Sequence, residues 1–490
     1  RRAMTNRKTW VRDALISLLL AAGYMLIFAY NNTPLGAAIG SDNAMYLTMG
    51  TALAKGYAPY TEIFDHKGPL LFLLQLLPQA VSGGYSLTAV FIQETLVLFA
   101  CLMMMRVIAK ELDVCPWAAQ LVYMAMTCAF MDGGNLTEEY ANLPAICAIY
   151  LSIRYFGREE PEDKLFLPAM GMGVCAMAAF MLRANNALPI AALVLVLAVG
   201  LLTARRYVQI GQCAGGFVTG LLAVMIPIVL WLAAKGALRE AWYGAIIHNM
   251  MYAESGTGDR FASLFTTNYG HMAIALAAFS CIGAGVIYRK KHRATLAAAM
   301  LAAAAAGGLA AFLSRKFYIH YLMLGAPLAA VGAVSLMTAF REKRRIAAGI
   351  LAAFSCIWLG MQGVKANDLR LSERQGLDQF TQDAQTLMAE VPQEEREHFM
   401  AYRVEPKWYV AAKALPCMRF YFLQEILAQA DPAVMEEIVA AFEIDPPHWL
   451  GLYYNRAFYP PYDTRMAEIF ETKYEFVDAA GQYQLLRLRE

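Results

Sequence analysis

Residues that could do chemistry are concentrated between positions 41 and 70, directly after the first long apolar segment. This stretch contains Asp42, Asp65, His66 and Lys67, although its surroundings are almost entirely apolar. Polar groups beside a bilayer are costly, so such a cluster at the end of an apolar helix indicates a functional site. We therefore expect catalysis or ligand binding in this stretch, which belongs to a first loop spanning residues 31–84.

Asp42 has two interpretations. Asp42, Met45 and Tyr46 fall on one face of a short helix. A carboxylate at an apolar boundary can act as a general base or bind a cation. Alternatively, Ser41 or Asp42 caps a helix that runs to about Ala54. The local sequence leaves both open.

Turns shape the rest of the first loop, because Gly and Pro punctuate it at Gly56, Pro59, Gly68 and Pro69. These turns are expected to hold Asp65, His66 and Lys67 in a rigid group at the membrane surface. Lys67 could contact a phosphate as a point charge. The alternative is a solvated turn with its Lys extended toward the membrane surface.

The composition is that of a membrane protein. The chain has 490 residues, of which 59% are hydrophobic and 16% charged. Soluble domains are about 45–50% apolar and about 25% charged. A net charge of +2 gives no reason to expect a nucleic-acid partner. The cysteines show neither metal-ligand spacing nor a disulfide framework, so no cofactor is predicted and a divalent metal is left open.

Eleven apolar segments are predicted as membrane spans, for which a helix needs about 20 mostly apolar residues; the segments 116–131 and 141–157 are short. They are residues 14–30, 85–107, 116–131, 141–157, 165–182, 187–203, 208–233, 270–288, 294–313, 320–338 and 345–363. The segment from Leu70 to Val81 is short and interrupted by Pro78, so we expect an interfacial helix there.

Lys and Arg set the orientation, because basic residues favour the cytoplasmic side. Basic clusters at residues 1–12, 205–206, 289–293 and 341–345 would all lie inside. The first segment is interpreted as a retained helix with its N-terminus inside, because no cleavage site follows it. Eleven spans then place the C-terminal tail outside the cytoplasmic membrane.

The tail differs in composition from the rest of the chain. Residues 364–490 are polar and predict a small α/β domain, which leaves 1–363 as the transmembrane domain. Strand-like runs are His398 to Val404, His448 to Tyr454, Tyr474 to Val477 and Tyr483 to Leu488. Helical stretches are Glu373 to Ala389 and Pro432 to Phe442, and residues 479–482 predict a hairpin turn.

The first loop resembles that of GT-C-fold glycosyltransferases, which include protein O-mannosyltransferases and the lipid A aminoarabinose transferase. The matching features are Asp42 after the first span, the helical stretch 52–56, and the segment 66–70. Gly68 departs from the Pro that is usual there. The resemblance implies inverting transfer of a hexose or pentose from a polyprenyl-phosphate donor to an outer-face acceptor. It also implies that Asp42 is the catalytic base.

A second acidic pair, Glu138 and Glu139, is predicted on the same side of the membrane. Asn135 and Glu138 make a plausible capping box, so Glu139 is favoured as the functional acid. Two acids opposite Asp42 could hold a divalent cation, although the O-mannosyltransferase branch works without one. Asp65 is a further candidate for the base.

Outer basic residues suit a site for the donor phosphate. Besides Lys67 they are Arg183, Arg315, Lys316 and His320. Ordinary interfacial anchoring is the alternative. The acceptor wall is predicted from Tyr60, His66, His248 and Tyr252.

Membrane glycosyltransfer to a lipid, glycan or protein acceptor is therefore the leading prediction. A lipid-linked glycan polymerase or flippase is the first alternative, and an ion-coupled transporter is the second. A transporter would need ionisable residues within its spans. Glu94 is the one clear acid within a predicted span and lies near its outer end, which disfavours transport.

Overall fold

Apolar helices form most of the chain, and a small sheet lies near its C-terminus. The structure is a computed structural model that describes residues 7–156, 164–254, 256, 258–291, 293–313, 315–339, 343–453 and 463–490. Parts of some features named in the sequence lie outside the described residues, including residues 1–6 and 341–342 of two basic clusters, and Tyr454 at the end of a strand-like run.

The chain is a multi-pass membrane protein. Within the described ranges, seven helices are long and apolar enough to cross a membrane: Thr9–Phe28, Leu87–Glu111, Ala184–Thr203, Tyr207–Ala234, Asn268–Arg289, Ala294–Phe312 and Arg345–Ala389. Each matches one predicted span. The other four predicted spans coincide with shorter helices, Pro116–Cys128, Thr137–Leu151, Phe166–Leu182 and Ile319–Ser335. The total of eleven spans stays a prediction.

Two compact units can be separated. The helical unit comprises Arg1–Thr33, Phe91–Leu230 and Gly256–Asp368, and the loop unit comprises Pro34–Val90, Trp231–Ser255 and Leu369–Glu490. The predicted boundary between residues 363 and 364 falls inside one continuous helix, Arg344–Ala389. The first loop belongs to the same unit as the tail, so the division into 1–363 and 364–490 stays a prediction.

Helices of the helical unit approach closely through small residues. A Cβ atom at Gly220 would collide with the backbone oxygen of Met170, so the helices Phe166–Leu182 and Tyr207–Ala234 are in backbone contact there. Small residues allow this approach in a membrane, where dispersion rather than the hydrophobic effect drives helix packing.

The tail of the loop unit contains a four-stranded sheet. The strands lie in the order Phe399–Tyr402, Trp449–Tyr453, Tyr483–Leu488 and Tyr474–Ala480. The first two pair in parallel, and the other pairs are antiparallel. Gly481 has a φ of +57° in the turn joining the last two strands, which confirms the predicted hairpin. All four predicted strands are present.

Two helices of the first loop belong to the loop unit. The loop helix Ser41–Ala54 packs against Pro69–Ser82 so tightly that a Cβ atom at Gly50 would collide with the backbone oxygen of Gln75. Pro69–Ser82 has only 14 residues, in line with the interfacial helix predicted there.

Candidate functional site

Asp42 lies in the first turn of the loop helix and is exposed. The residue before the helix is Gly40, and no side chain caps its N-terminus. Ser41 instead donates a hydrogen bond from Oγ to Glu405 Oε2 at 3.0 Å. The capping alternative for Ser41 or Asp42 is therefore wrong, although the predicted end of the helix at Ala54 is confirmed. The helix dipole favours a carboxylate at this position.

Asp65 is buried at the other end of the first loop, with an exposed fraction of 1%. Its Oδ1 accepts the backbone N–H of His66 at 2.6 Å and lies 3.3 Å from Nδ1 of that ring. Its Oδ2 lies 3.5 Å from Nζ of Lys67. Burial raises the pKa of Asp65, and the positive charge of Lys67 does not fully offset this. Asp65 is thus the immediate counter-ion of Lys67.

Lys67 keeps its charge in this setting. Burial disfavours the charged form, but the negative charge of Asp65, with smaller contributions from Tyr46 and Asp42, holds the pKa of Lys67 above its ordinary value. Its Nζ lies 5.3 Å from the centre of the Tyr46 ring. Asp42 acts electrostatically on both Asp65 and Lys67, so the structure brings these three predicted site residues together.

Three of the predicted acceptor-wall residues, His66, His248 and Tyr252, come together as packed rings, whereas Tyr60 packs against Phe72. Tyr60 is fully buried, and its ring centre lies 4.3 Å from that of Phe72. Its hydroxyl donates to the backbone oxygen of Lys67 at 2.7 Å. The His66 ring centre lies 4.5 Å from that of Tyr252 and 6.1 Å from that of the fully buried His248. Their contact with an acceptor stays a prediction.

Glu138, in the helical unit, binds an arginine. Its Oε1 lies 3.1 Å from Nη1 of Arg183, and its Oε2 accepts the hydroxyl of Thr137 at 2.7 Å. Arg183 also donates from Nη2 to the hydroxyl of Tyr321 at 2.9 Å, and its guanidinium lies 4.3 Å from that ring centre. Burial alone would raise the pKa of Glu138, but the charges of His320 and Arg183 outweigh it and lower the pKa.

Glu139, the next residue, interacts with the start of its own helix and with Glu94. Its Oε1 accepts the backbone N–H of Leu136 at 3.3 Å, so Glu139 rather than Glu138 caps this helix. The predicted capping box of Asn135 and Glu138 is wrong. Asn135 instead donates its backbone N–H to Glu94, a residue that sequence reasoning noted only as an argument against transport. Burial, followed by the charge of Glu94, raises the pKa of Glu139.

Glu94 is held by a second donor, the side-chain amide of Asn32 at 2.9 Å. Glu94, Glu139 and Asn142 line one narrow cavity of the helical unit, together with Tyr24 and Tyr123. The one sequence signal for this cluster around Glu94 was the position of Glu94 as an isolated acid in an apolar segment. Its hydrogen-bond partners, Asn32 directly after the first span and Asn135 in the second loop (residues 131–142), could not be predicted from spacing.

The predicted phosphate-binding residues of the helical unit differ in exposure. His320 is buried, with Nδ1 3.5 Å from Asp132 Oδ2. Lys316 is half-buried, and burial, followed by the charge of Arg183, lowers its pKa to about 8. Arg315 is exposed. Arg183 and His320 thus act electrostatically on Glu138, and Arg183 also acts on Lys316, whereas Lys67 belongs to the loop unit.

Within the part of the chain that the structure describes, no group of three or more His, Cys, Asp or Glu side chains is arranged to hold a metal ion.

Matches to this chain are found among solved structures, although no protein-family profile and no curated protein matches the sequence. The crystal structure of ArnT from Cupriavidus metallidurans bound to undecaprenyl phosphate matches over 98% of both chains, with 12% identity and a TM-score of 0.61. The oligosaccharyltransferase of Archaeoglobus fulgidus, in complex with Zn and sulfate, matches over 89% of this chain and 67% of its own, with 11% identity and a TM-score of 0.47. The chain therefore has the GT-C fold of the ArnT structure, as the resemblance of the first loop predicted.

Proposed function

We propose that this chain is a membrane glycosyltransferase that moves a sugar from a polyprenyl-phosphate donor to an acceptor hydroxyl on the outer face of the cytoplasmic membrane. The observation that carries the proposal is the agreement of the fold, over 98% of both chains, with a structure that was solved with undecaprenyl phosphate bound. The group formed by Asp42, Asp65 and Lys67 supports it, because it combines an exposed carboxylate with a charged lysine in one loop.

Asp42 is the general base in this proposal. It removes the proton of the acceptor hydroxyl as that oxygen attacks the anomeric carbon, and the bond from that carbon to the phosphate oxygen breaks. The polyprenyl phosphate leaves with the electron pair of the broken bond, and attack from the opposite side inverts the configuration. An exposed carboxylate on a buried, rigid helix suits this task because the acceptor must reach it.

Lys67 stabilises the charge that develops on the departing phosphate. Its pKa is held above the ordinary value, so it remains positive throughout the working pH range. Asp65 serves as its counter-ion rather than as the base, because it is buried and already 3.5 Å from Nζ of Lys67. Glu139 is likewise committed to the helix end and to Glu94.

Further phosphate contacts are proposed for the helical unit. There Lys316 and His320 are better suited than Arg183, because Glu138 and Tyr321 already occupy the two terminal nitrogens of Arg183. Arg315 is exposed and can contribute charge near the surface.

We also propose eleven spans with the tail outside the membrane, because the basic clusters alternate between sides on that count. Reporters fused after Leu488 that are active on only one side of the membrane test this. A cytoplasmic tail would overturn both the helix count and the outer placement of Asp42.

Release of polyprenyl phosphate is the direct test of the function. The full-length protein in lipid nanodiscs is incubated with a panel of polyprenyl-phosphate sugars, with lipid, glycan and protein acceptors supplied in turn. We expect transfer, with release of polyprenyl phosphate, for one member of the panel. Coupled movement of an ion or an intact lipid-linked glycan, with no transfer, would favour the transporter or flippase alternative.

A further inference from the structure

Arg419 joins three separate segments of the loop unit. Its Nε donates to the backbone oxygen of Tyr60 at 2.7 Å. Its Nη2 donates to Glu240 at 2.6 Å, and its Nη1 donates to both carboxylate oxygens of Glu437 at 2.9 and 3.0 Å. Its own backbone oxygen accepts the N–H of Phe64 at 3.1 Å. One residue of the tail thus binds the first loop at two points.

The turn that Arg419 holds has an uncommon backbone conformation. Tyr60 has a φ of +63°, a region that residues other than glycine rarely adopt. Such a conformation persists only where its surroundings fix it. The bonds from Arg419 to the oxygen of Tyr60 and to the N–H of Phe64 lie on either side of the turn, and they add to the turn's own bond from the N–H of Tyr60 to the oxygen of Ile63 at 2.9 Å.

Tyr60 passes this constraint on to Lys67. Its hydroxyl donates to the backbone oxygen of Lys67 at 2.7 Å, and its ring is fixed against Phe72. The Nζ of Lys67 in turn lies 3.5 Å from Asp65. Two consecutive hydrogen bonds therefore connect the guanidinium of Arg419 to the backbone of Lys67.

We propose that Arg419 is a positioning residue that acts through Tyr60 to place Lys67, so that the tail is part of the machinery that holds the donor phosphate. The assignment of the phosphate to Lys67 rests on the proposed function above. A misplacement of about 1 Å within a site can cost about 10²-fold in rate, which is why a loop lysine needs such support.

A second residue of the same tail segment supports the other side of the site. Tyr421 is fully buried and donates its hydroxyl to the backbone oxygen of Met45 at 3.1 Å. Met45 lies one turn after Asp42 in the loop helix. The segment around Arg419 and Tyr421 therefore contacts both the helix that carries the base and the turn that carries Lys67.

Three variants separate positioning from general stability. Arg419→Gln removes the charge and the bonds to Tyr60 and to both acids. Tyr60→Phe removes only the hydroxyl that holds Lys67. Arg465→Gln is the matched control, because Arg465 also belongs to the tail and bridges two acids, Glu436 at 2.7 Å and Asp463 at 3.1 Å.

Amide hydrogen exchange of the full-length protein in nanodiscs tests directly whether Arg419 and Tyr60 fix the turn. Loss of one such hydrogen bond raises the equilibrium constant for local opening by about tenfold. We therefore expect residues 57–67 to exchange about tenfold faster in Arg419→Gln and Tyr60→Phe. Arg465→Gln should match the unmodified protein in this segment. Unchanged exchange in both loop variants would overturn the proposal.

Binding of undecaprenyl phosphate tests whether the positioning of Lys67 affects the donor phosphate. We expect Arg419→Gln and Tyr60→Phe each to raise its Kd by about tenfold, with Arg465→Gln unaffected. Because both act through one chain of contacts, the double variant should be little worse than either single variant. Independent, additive effects would contradict action through Tyr60.

The claim that Arg419 fixes the turn and the claim that this affects phosphate binding can fail separately. If the unmodified protein does not bind undecaprenyl phosphate, the proposed function fails, while hydrogen exchange still decides whether Arg419 fixes the turn. If Arg419→Lys, which keeps a charge but lacks the guanidinium geometry, restores both exchange and binding, then charge alone is sufficient and the positioning role is overturned.

Discussion

The first loop and the second loop each bury a carboxylate against a cation, and the two pairs behave differently. Asp65 and Lys67 are two residues apart, with 3.5 Å between the charged atoms, and the pKa of Asp65 is raised. Glu138 and Arg183 are 45 residues apart and 3.1 Å from each other, and the pKa of Glu138 is lowered. One cation is shared with a nearby exposed carboxylate, Asp42, whereas the other is enclosed by its partners.

This difference indicates separate roles for the two pairs, one in the reaction and one in the fold. Burial and the negative charge of Asp42 both raise the pKa of Asp65, and Asp42 also acts electrostatically on Lys67, so Lys67 is shared between two carboxylates. Glu138 accepts from the Arg183 guanidinium and from the hydroxyl of Thr137, and its bond to Arg183 joins segments far apart in the chain. We infer that the first pair serves the reaction and that the second fixes the fold.

Replacing the proposed base should give the largest effect. Asp42→Asn keeps the volume of the side chain but cannot accept a proton, so turnover should fall by about 10²–10⁴ while donor binding persists. Release of polyprenyl phosphate measures this. Asp368→Asn, at an exposed position of another helix, is the control. Full activity of Asp42→Asn would remove Asp42 as the base and reopen Asp65 and Glu139.

Breaking the second pair should mainly affect stability. Arg183→Ala leaves Glu138 buried without its arginine, and removal of one partner of a buried pair costs about 3–5 kcal/mol. The free energy of unfolding, measured by denaturant titration in detergent, tests this. Arg315→Ala, at an exposed site, should change it by less than about 0.5 kcal/mol. A stable Arg183→Ala protein with weakened donor binding would instead make Arg183 a phosphate ligand.

Removing the first cation should mainly affect donor binding. Lys67→Met keeps the length of the stem, and the loss of a charged hydrogen bond to phosphate should weaken binding of undecaprenyl phosphate by about ten- to a hundredfold. The double variant Lys67→Met with Asp65→Asn removes the buried carboxylate that would otherwise lack a counter-ion. It should therefore recover stability but not binding, and recovery of both would assign Lys67 a purely structural role.

The sequence predicted elements well where one segment carries its own signal. Apolar length marked the spans, and alternation with a small-residue turn marked the hairpin ending at Tyr483–Leu488. Asp42 and Lys67 could be singled out because they stand in an apolar neighbourhood. Partners brought together by tertiary structure could not be predicted: the bonds from Arg419 to Tyr60 and from Arg183 to Glu138 cross 359 and 45 residues.

Capping shows the same limit at short range. Asn135 and Glu138 fit the spacing of a capping box, but Asn135 bonds to Glu94 and Glu138 bonds to Arg183. The cap passes to Glu139, one residue later. A buried arginine and a buried acid are more demanding partners than a helix end, because an unpaired charge in the interior is far costlier than an unpaired N–H.

The smallest expected effect is a pH dependence of the apparent KM for the lipid donor. It compares two lysines whose pKa values shift in opposite directions. Lys67 is held charged by Asp65, whereas burial and the charge of Arg183 lower the pKa of Lys316 to about 8. As the pH rises through about 8, Lys316 therefore loses its positive charge and Lys67 does not. If Lys316 contacts the donor phosphate, the apparent KM for the lipid donor should rise by no more than about tenfold between pH 7 and 9, because one of several contacts is lost. Lys316→Arg keeps its charge over this range, so its profile should be flat. A rise of equal size in Lys316→Arg would assign the pH dependence to another group and leave Lys316 outside the phosphate site.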